Sequence, residues 1–202
     1  MNKKVMIGLT AFIILVLGGI FLITYFNEKE PEIEITDAEQ FKKDYPKVDE
    51  DNVFVYKNAD EVINILEKGT GVVYLGFKEC SWCQEYVIYL NEAAKEAGID
   101  KIYYFDILND RADSTDDYKK ILELIGDHLQ NDEEGNPRVF VPDVSVVKDG
   151  EMIGHDYETS KDTKGIENAP DYWTEKRIDS LKDNLEVMFT NLLDKNFCST
   201  CN

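Results

Sequence analysis

The sequence predicts an α/β protein: a central mixed sheet flanked by helices, parallel in part with one antiparallel edge, behind a long apolar N-terminal segment. Three observations carry this. Short β-prone runs alternate with amphipathic stretches between Val53 and Gln130, the signature of strand–helix–strand units. Asp149-Gly150 separates two further β-prone runs, a strong hairpin signal. Val5 to Phe26 contains no charged residue.

That first run, VMIGLTAFIILVLGGIFLITYF, would measure about 33 Å as a helix, matching a hydrocarbon core of about 30 Å. Lys3 and Lys4 precede it and Glu28 and Glu30 follow it, so the positive-inside rule puts the N-terminus in the cytoplasm and the rest outside. A cleaved signal peptide would have a shorter apolar core and small residues before the cut. Here the run ends Ile23-Thr24-Tyr25-Phe26. A buried core helix is seldom this long and charge-free at an extreme terminus. The expectation is a single-pass, uncleaved membrane anchor over 1–26.

Residues 27–52 are charge-rich, with Pro31 and Pro46, and read as an acidic linker with a short helical turn around Asp37–Lys43. A folded domain is expected over 53–195. Val53–Tyr56 is β-prone. Asn58 caps a helix through Lys68 that Gly69 ends. Val72–Phe77 is a continuous apolar run, typical of a strand buried on both faces. A helix runs from Cys83 to about Ala97, stopped by Gly98, and Lys101–Ile107 is a second central strand. Asp116–Gln130 is amphipathic. A hairpin follows over Asp143–His155, then a polar loop over 157–172. A last helix, Thr174–Lys195, carries Ile178, Leu181, Leu185, Met188, Phe189, Leu192 and Leu193 as its apolar stripe.

The chain has 22 Lys and Arg against 41 Asp and Glu, a net charge of −19. Such a balance argues against nucleic acid as a partner, since phosphate contacts need a basic face. It also disfavours lying flat on anionic lipid. No G-x-x-x-x-G-K, G-x-G-x-x-G or G-x-S-x-G is present, so nucleotide binding and serine hydrolysis have no support, and no cofactor is called for.

The chemistry concentrates in Cys80-Ser81-Trp82-Cys83. Cys80 falls where a buried strand gives way to a helix, and the N–H groups and positive end of the dipole there stabilise a thiolate. The three-residue offset brings Cys83 to the same side one turn on, in reach of a mixed disulfide on Cys80. Cys80 is expected to attack and Cys83 to resolve. Trp82 is either a flat apolar contact for substrate, a lid on Cys83, or a locally packed ring. Lys78 and Glu79 flank the motif and read either as solvated charges or as groups that assist the deprotonation of Cys83.

Strand, C-x-x-C at a helix start, second strand, then Val141-Pro142 before a hairpin together resemble the thioredoxin-like superfamily over about 53–195. The resemblance implies a thiol–disulfide oxidoreductase acting outside the cytoplasm on protein thiols and disulfides. It needs some redox partner as electron donor or acceptor. It also implies a cis bond before Pro142, with Val141 offering its backbone to a substrate peptide. Many thioredoxins carry a buried aspartate where this chain has Tyr74, which leaves the deprotonation of Cys83 without its usual acceptor. Ser81-Trp82 does not decide between reductant and oxidant. The anchor, the acidic chain and the long segments before Pro142 and over 157–172 are similar to the bacteriocin-transport-accessory type of Gram-positive bacteria. A competing expectation is a non-catalytic module of the same build, supporting an export or envelope complex.

The tail over 196–202 repeats the spacing in Cys198 and Cys201. It reads as a second redox pair, as a passive local disulfide, or as half of a four-cysteine zinc site. Zinc is disfavoured because the two pairs are separated by a whole fold and an oxidising compartment favours disulfides. His128 and His155, the only histidines, have no metal-ligand partner at helical spacing and read as structural residues. No metal is expected.

Overall fold

The computed structural model describes residues 35–157, 165–195 and 197. The expected anchor over 1–26 lies outside them, as do Cys198 and Cys201. Among the described residues no helix is long and apolar enough to cross a membrane.

The central strand is β2, Gly71–Gly76. It pairs in parallel with β3, Ile102–Asp106, and antiparallel with β6, Asp143–Lys148. Outside these lie β1, Phe54–Tyr56, parallel to β3, and β7, Glu151–Asp156, antiparallel to β6. The five-stranded mixed sheet thus has the order β1-β3-β2-β6-β7. A separate two-stranded ribbon joins β4, Gln130–Asn131, to β5, Pro137–Arg138. Asp149 and Gly150 both take positive φ, 52° and 80°, between β6 and β7. That is the backbone a tight two-residue hairpin needs.

Because strand side chains alternate, β2 feeds two cores. Val73 and Leu75 face α2, Ala59–Lys68, and α5, Asp116–Ile125. Val72 and Tyr74 face α3, Ser81–Ala97, and α7, Glu175–Leu193. The helix ends follow from local chemistry. Asn58 and Glu61 form a capping box on α2, and Gly98 closes α3 with φ 83°. The amphipathic stretch from Asp116 stops at Ile125 rather than Gln130, because Gly126 adopts φ 58° and turns the chain into a short 3₁₀ segment. A helix absent from the sequence reading, α4, spans Leu108–Asp113.

The acidic linker expected over 27–52 does not extend through its described part. Thr36 caps α1, Asp37–Asp44, with Glu39 completing a capping box. Phe41, Tyr45 and Val48 are buried in the same core as Tyr74 and Cys83. Phe41 stacks between Tyr45 and Phe54, with centroids 4.3 and 3.8 Å away. Burial of these rings outweighs the charged composition around them. The loop expected over 157–172 is likewise only partly polar: Ala169–Tyr172 form α6, and Tyr172 and Trp173 are buried against α3.

Phe41→Ala is expected to lower the unfolding free energy by about 3–5 kcal/mol, as truncations of buried aromatics do. Urea denaturation checks this, and an unchanged midpoint would return the segment to linker status.

Candidate functional site

Strand β2 ends at Gly76, and the chain turns through Phe77–Cys80, closed by a hydrogen bond from the Cys80 N–H to the Phe77 carbonyl, 3.1 Å. Helix α3 starts immediately after, with Cys80 as its N-cap. The Cys80 sulfur accepts from the Cys83 backbone N–H at 3.2 Å. The turn is tied down from the side, since the Gln84 amide donates to the Lys78 and Asp44 carbonyls at 2.7 and 2.8 Å. Lys78 itself sits 3.6 Å from the Asp44 carboxylate.

Both cysteines are free thiols in this structure, and their surroundings differ sharply. Cys80 is half-buried. Hydrogen bonding with Cys83 lowers its pKa to about 7 against the opposing effect of burial, and the Trp82 N–H and the Arg111 charge add to the lowering. Its thiolate is therefore accessible at neutral pH. Cys83 is fully buried, and that burial, followed by the neighbouring Cys80 sulfur, pushes its thiol well above the ordinary value. One helical turn separates a half-buried sulfur with a lowered pKa from a fully buried one with a raised pKa.

Arg111 escaped the sequence reading. Held on α4, its guanidinium lies over the Phe77 ring at 5.0 Å and donates to the Val139 carbonyl at 3.3 Å. It joins the turn before Cys80 to the segment before Val141 and brings a positive charge to bear on the thiolate. Its only sequence signal is a cation within the acidic stretch Asn109–Asp113, and its partners are remote in the chain.

The Val141–Pro142 bond is cis, as the resemblance implied. Pro142 is buried and Val141 half-buried, packed against both cores. Leu75 pairs with Asp143, so Pro142 stands one step further on, at the end of β2 that leads to Cys80. Trp82 is half-buried and meets Tyr172 edge to face at 5.7 Å.

Behind Pro142 the two histidines, read singly from sequence, become neighbours. His155 Nε2 is 2.9 Å from Asp143 Oδ2 with both side chains buried, and the His128 ring centroid is 5.4 Å from that of His155. Burial pushes the Asp143 carboxyl up. No three His, Cys, Asp or Glu side chains among the described residues converge as metal ligands. A groove of about 450 Å³ between α3 and α7, lined by Glu96, Asp179, Asp183 and Glu186 among others, lies toward the far end of α3 from Cys80.

Tyr74 lies beneath the cysteines. It is fully buried, stacked between Tyr104 and Tyr86 with centroids 5.6 and 6.3 Å away. Gly76 makes room for it, because a Cβ there would collide with the Tyr74 hydroxyl. That hydroxyl makes no hydrogen bond of acceptable geometry. Burial, then the nearby Cys83 sulfur and the Tyr45 hydroxyl, raise its pKa far above the usual phenol value. A buried hydroxyl left unpaired costs roughly 1–3 kcal/mol.

Comparison of the chain with protein-family models, with curated proteins and with solved structures returns no match.

Alkylation of Cys80 is expected to accelerate with pH through a midpoint near 7, since only the deprotonated form reacts. Arg111→Met should move that midpoint upward; iodoacetamide rates across pH 5–10 measure both. An unmoved midpoint removes Arg111 from the electrostatics of the thiolate. Cys83 should stay unmodified while the chain is folded.

Proposed function

We propose that this chain is a thiol–disulfide oxidoreductase of thioredoxin-like build, exchanging disulfides with protein substrates outside the cytoplasm through Cys80 and Cys83. The observation that carries the reading is the asymmetry of the pair: a helix-capping sulfur with a pKa of about 7 beside a buried one pushed well above the ordinary value. Exchange needs this difference, because the attacking group must be a thiolate at working pH while the resolving group stays protonated until a mixed disulfide forms. The cis Val141–Pro142 segment at the same end of β2 supports a substrate backbone lying beside Cys80. The sheet order, with β2 central and β6 antiparallel to it, agrees with the proposed build. The extracytoplasmic setting rests on the charge-free run Val5–Phe26 and the lysines before it.

In the reducing direction, Cys80 attacks one sulfur of a substrate disulfide and displaces the other as a thiolate. Cys83 then attacks Cys80 and releases the second substrate thiol. Two electrons pass from the cysteine pair to the substrate. The same steps run backwards make the chain an oxidant, and the balance follows from its reduction potential, where about 30 mV corresponds to about 1.4 kcal/mol.

Cys83→Ser should accumulate mixed disulfides with envelope proteins in cells, visible as reductant-sensitive bands on non-reducing gels, whereas Cys80→Ser should accumulate none. Equal accumulation in both variants would sink the assignment of roles.

A further inference from the structure

We propose that Tyr74 is a positioning residue for the resolving step, its hydroxyl donating a hydrogen bond to the Cys83 sulfur at the moment that sulfur becomes a thiolate. The inference rests on the oxidoreductase reading and deepens it.

Three observations lead there. First, the Tyr74 hydroxyl is buried and unpaired in the dithiol form. The hydroxyls of Tyr45 and Tyr104 are already bonded to one another at 3.1 Å, and that of Tyr56 to Asp44 at 2.7 Å. Among these four rings, Tyr74 alone has a hydroxyl with no hydrogen-bond partner. Second, the groups near enough to act on it include the Cys83 thiol, which lies in the same buried cluster. A neutral thiol is a weak acceptor, so an unpaired hydroxyl beside it is unsurprising; a thiolate is a strong one. Third, Gly76 keeps clear the space that the Tyr74 hydroxyl occupies.

No carboxylate is among the groups acting most strongly on the Cys83 sulfur. Its charged form is favoured by two fixed donors, the Phe77 backbone N–H and, after it, the Tyr74 hydroxyl. Tyr74 cannot serve as the base, because burial holds its own proton firmly. It keeps that proton and solvates the anion. In the mixed disulfide, Cys83 loses its proton and its sulfur attacks Cys80. A Cys80–Cys83 bond forms as the Cys80–substrate bond breaks, and the departing substrate sulfur takes up the proton. The dithiol is oxidised and the substrate disulfide reduced. Tyr74 lowers the barrier of this second step and has no part in the first, where the attacking sulfur is Cys80 at the helix N-terminus.

The test uses the full-length chain, with Cys198→Ser and Cys201→Ser so that one thiol pair reacts, and a peptide joined by a disulfide to thionitrobenzoate. Thionitrobenzoate leaves first as the more acidic thiol, so its absorbance times the attack, and peptide release after acid quench times the resolution. Tyr74→Phe should slow peptide release about 10–100-fold, the value of a hydrogen bond to a charged group. Thionitrobenzoate release should stay unchanged, and the pH midpoint of resolution should rise. Tyr45→Phe, which removes a hydroxyl bonded elsewhere, should leave peptide release near the parent rate. An unaltered peptide-release rate in Tyr74→Phe would overturn the role of Tyr74 and leave the oxidoreductase reading standing. Failure of the parent chain to release thionitrobenzoate would overturn both. Thermal melts accompany the rates. The variant should melt no lower than the parent, and loss of folding would mark the hydroxyl as a structural bond and end the proposal.

Discussion

The candidate site depends on a helix whose N-cap is a sulfur. Serine, threonine, aspartate and asparagine normally take that position because an oxygen accepts well from the N–H groups of the first turn. A neutral thiol is a poorer acceptor, so Cys80 caps α3 weakly while protonated and well once ionised. Capping and ionisation therefore favour each other: the N–H of Cys83 that completes the cap also holds the negative charge. The same turn sends the Cys83 side chain inward, where water is absent and ionisation is opposed. Two identical functional groups acquire opposite character from three residues of helix.

That helix start has to be fixed in place for the difference to persist. The sheet does most of this, because β2 is hydrogen-bonded on both sides and delivers the chain to the turn at Phe77. Gln84 clamps the turn to the end of α1, which explains why the segment from Thr36 belongs to the fold. Arg111 joins the turn to the strand approaching Pro142. On the other flank, Tyr172 and Trp173 cover the first turns of α3, with Tyr172 against Trp82 and Trp173 against Tyr86 and Tyr89. The ring of Trp82 thus packs nearly perpendicular to that of Tyr172.

Elements whose signal is local could be read from the sequence. The apolar run at 72–77 marks the central strand, and Asn58, Gly69, Gly98 and Asp149-Gly150 mark ends and turns that the structure reproduces within a residue or two. What escaped was carried by sparse residues inside polar stretches. Phe41, Tyr45 and Val48 stand at helical spacing, but the charges and proline among them mask a buried face. Tyr172-Trp173 is an aromatic pair inside a stretch otherwise read as loop. The importance of Arg111 depends on Phe77 and Val139, which no local pattern connects to it. At Tyr74 the burial is legible from the apolar run, whereas the lack of a partner for its hydroxyl is a three-dimensional fact. The meeting of His128 with His155 is another.

The charge of the chain and the charge of the site act over different ranges. A net −19 opposes forming one more anion anywhere on the protein. At physiological ionic strength, however, exposed charges beyond about 8 Å are largely screened. The groups that lower the pKa of Cys80 are first the Cys83 thiol, then the N–H groups of the first turn and the single guanidinium of Arg111, all close and partly shielded from water. The acidic surface consequently has little effect on the ionisation of Cys80. Groups packed against the two sulfurs, rather than the bulk charge of the chain, set which of them ionises more readily.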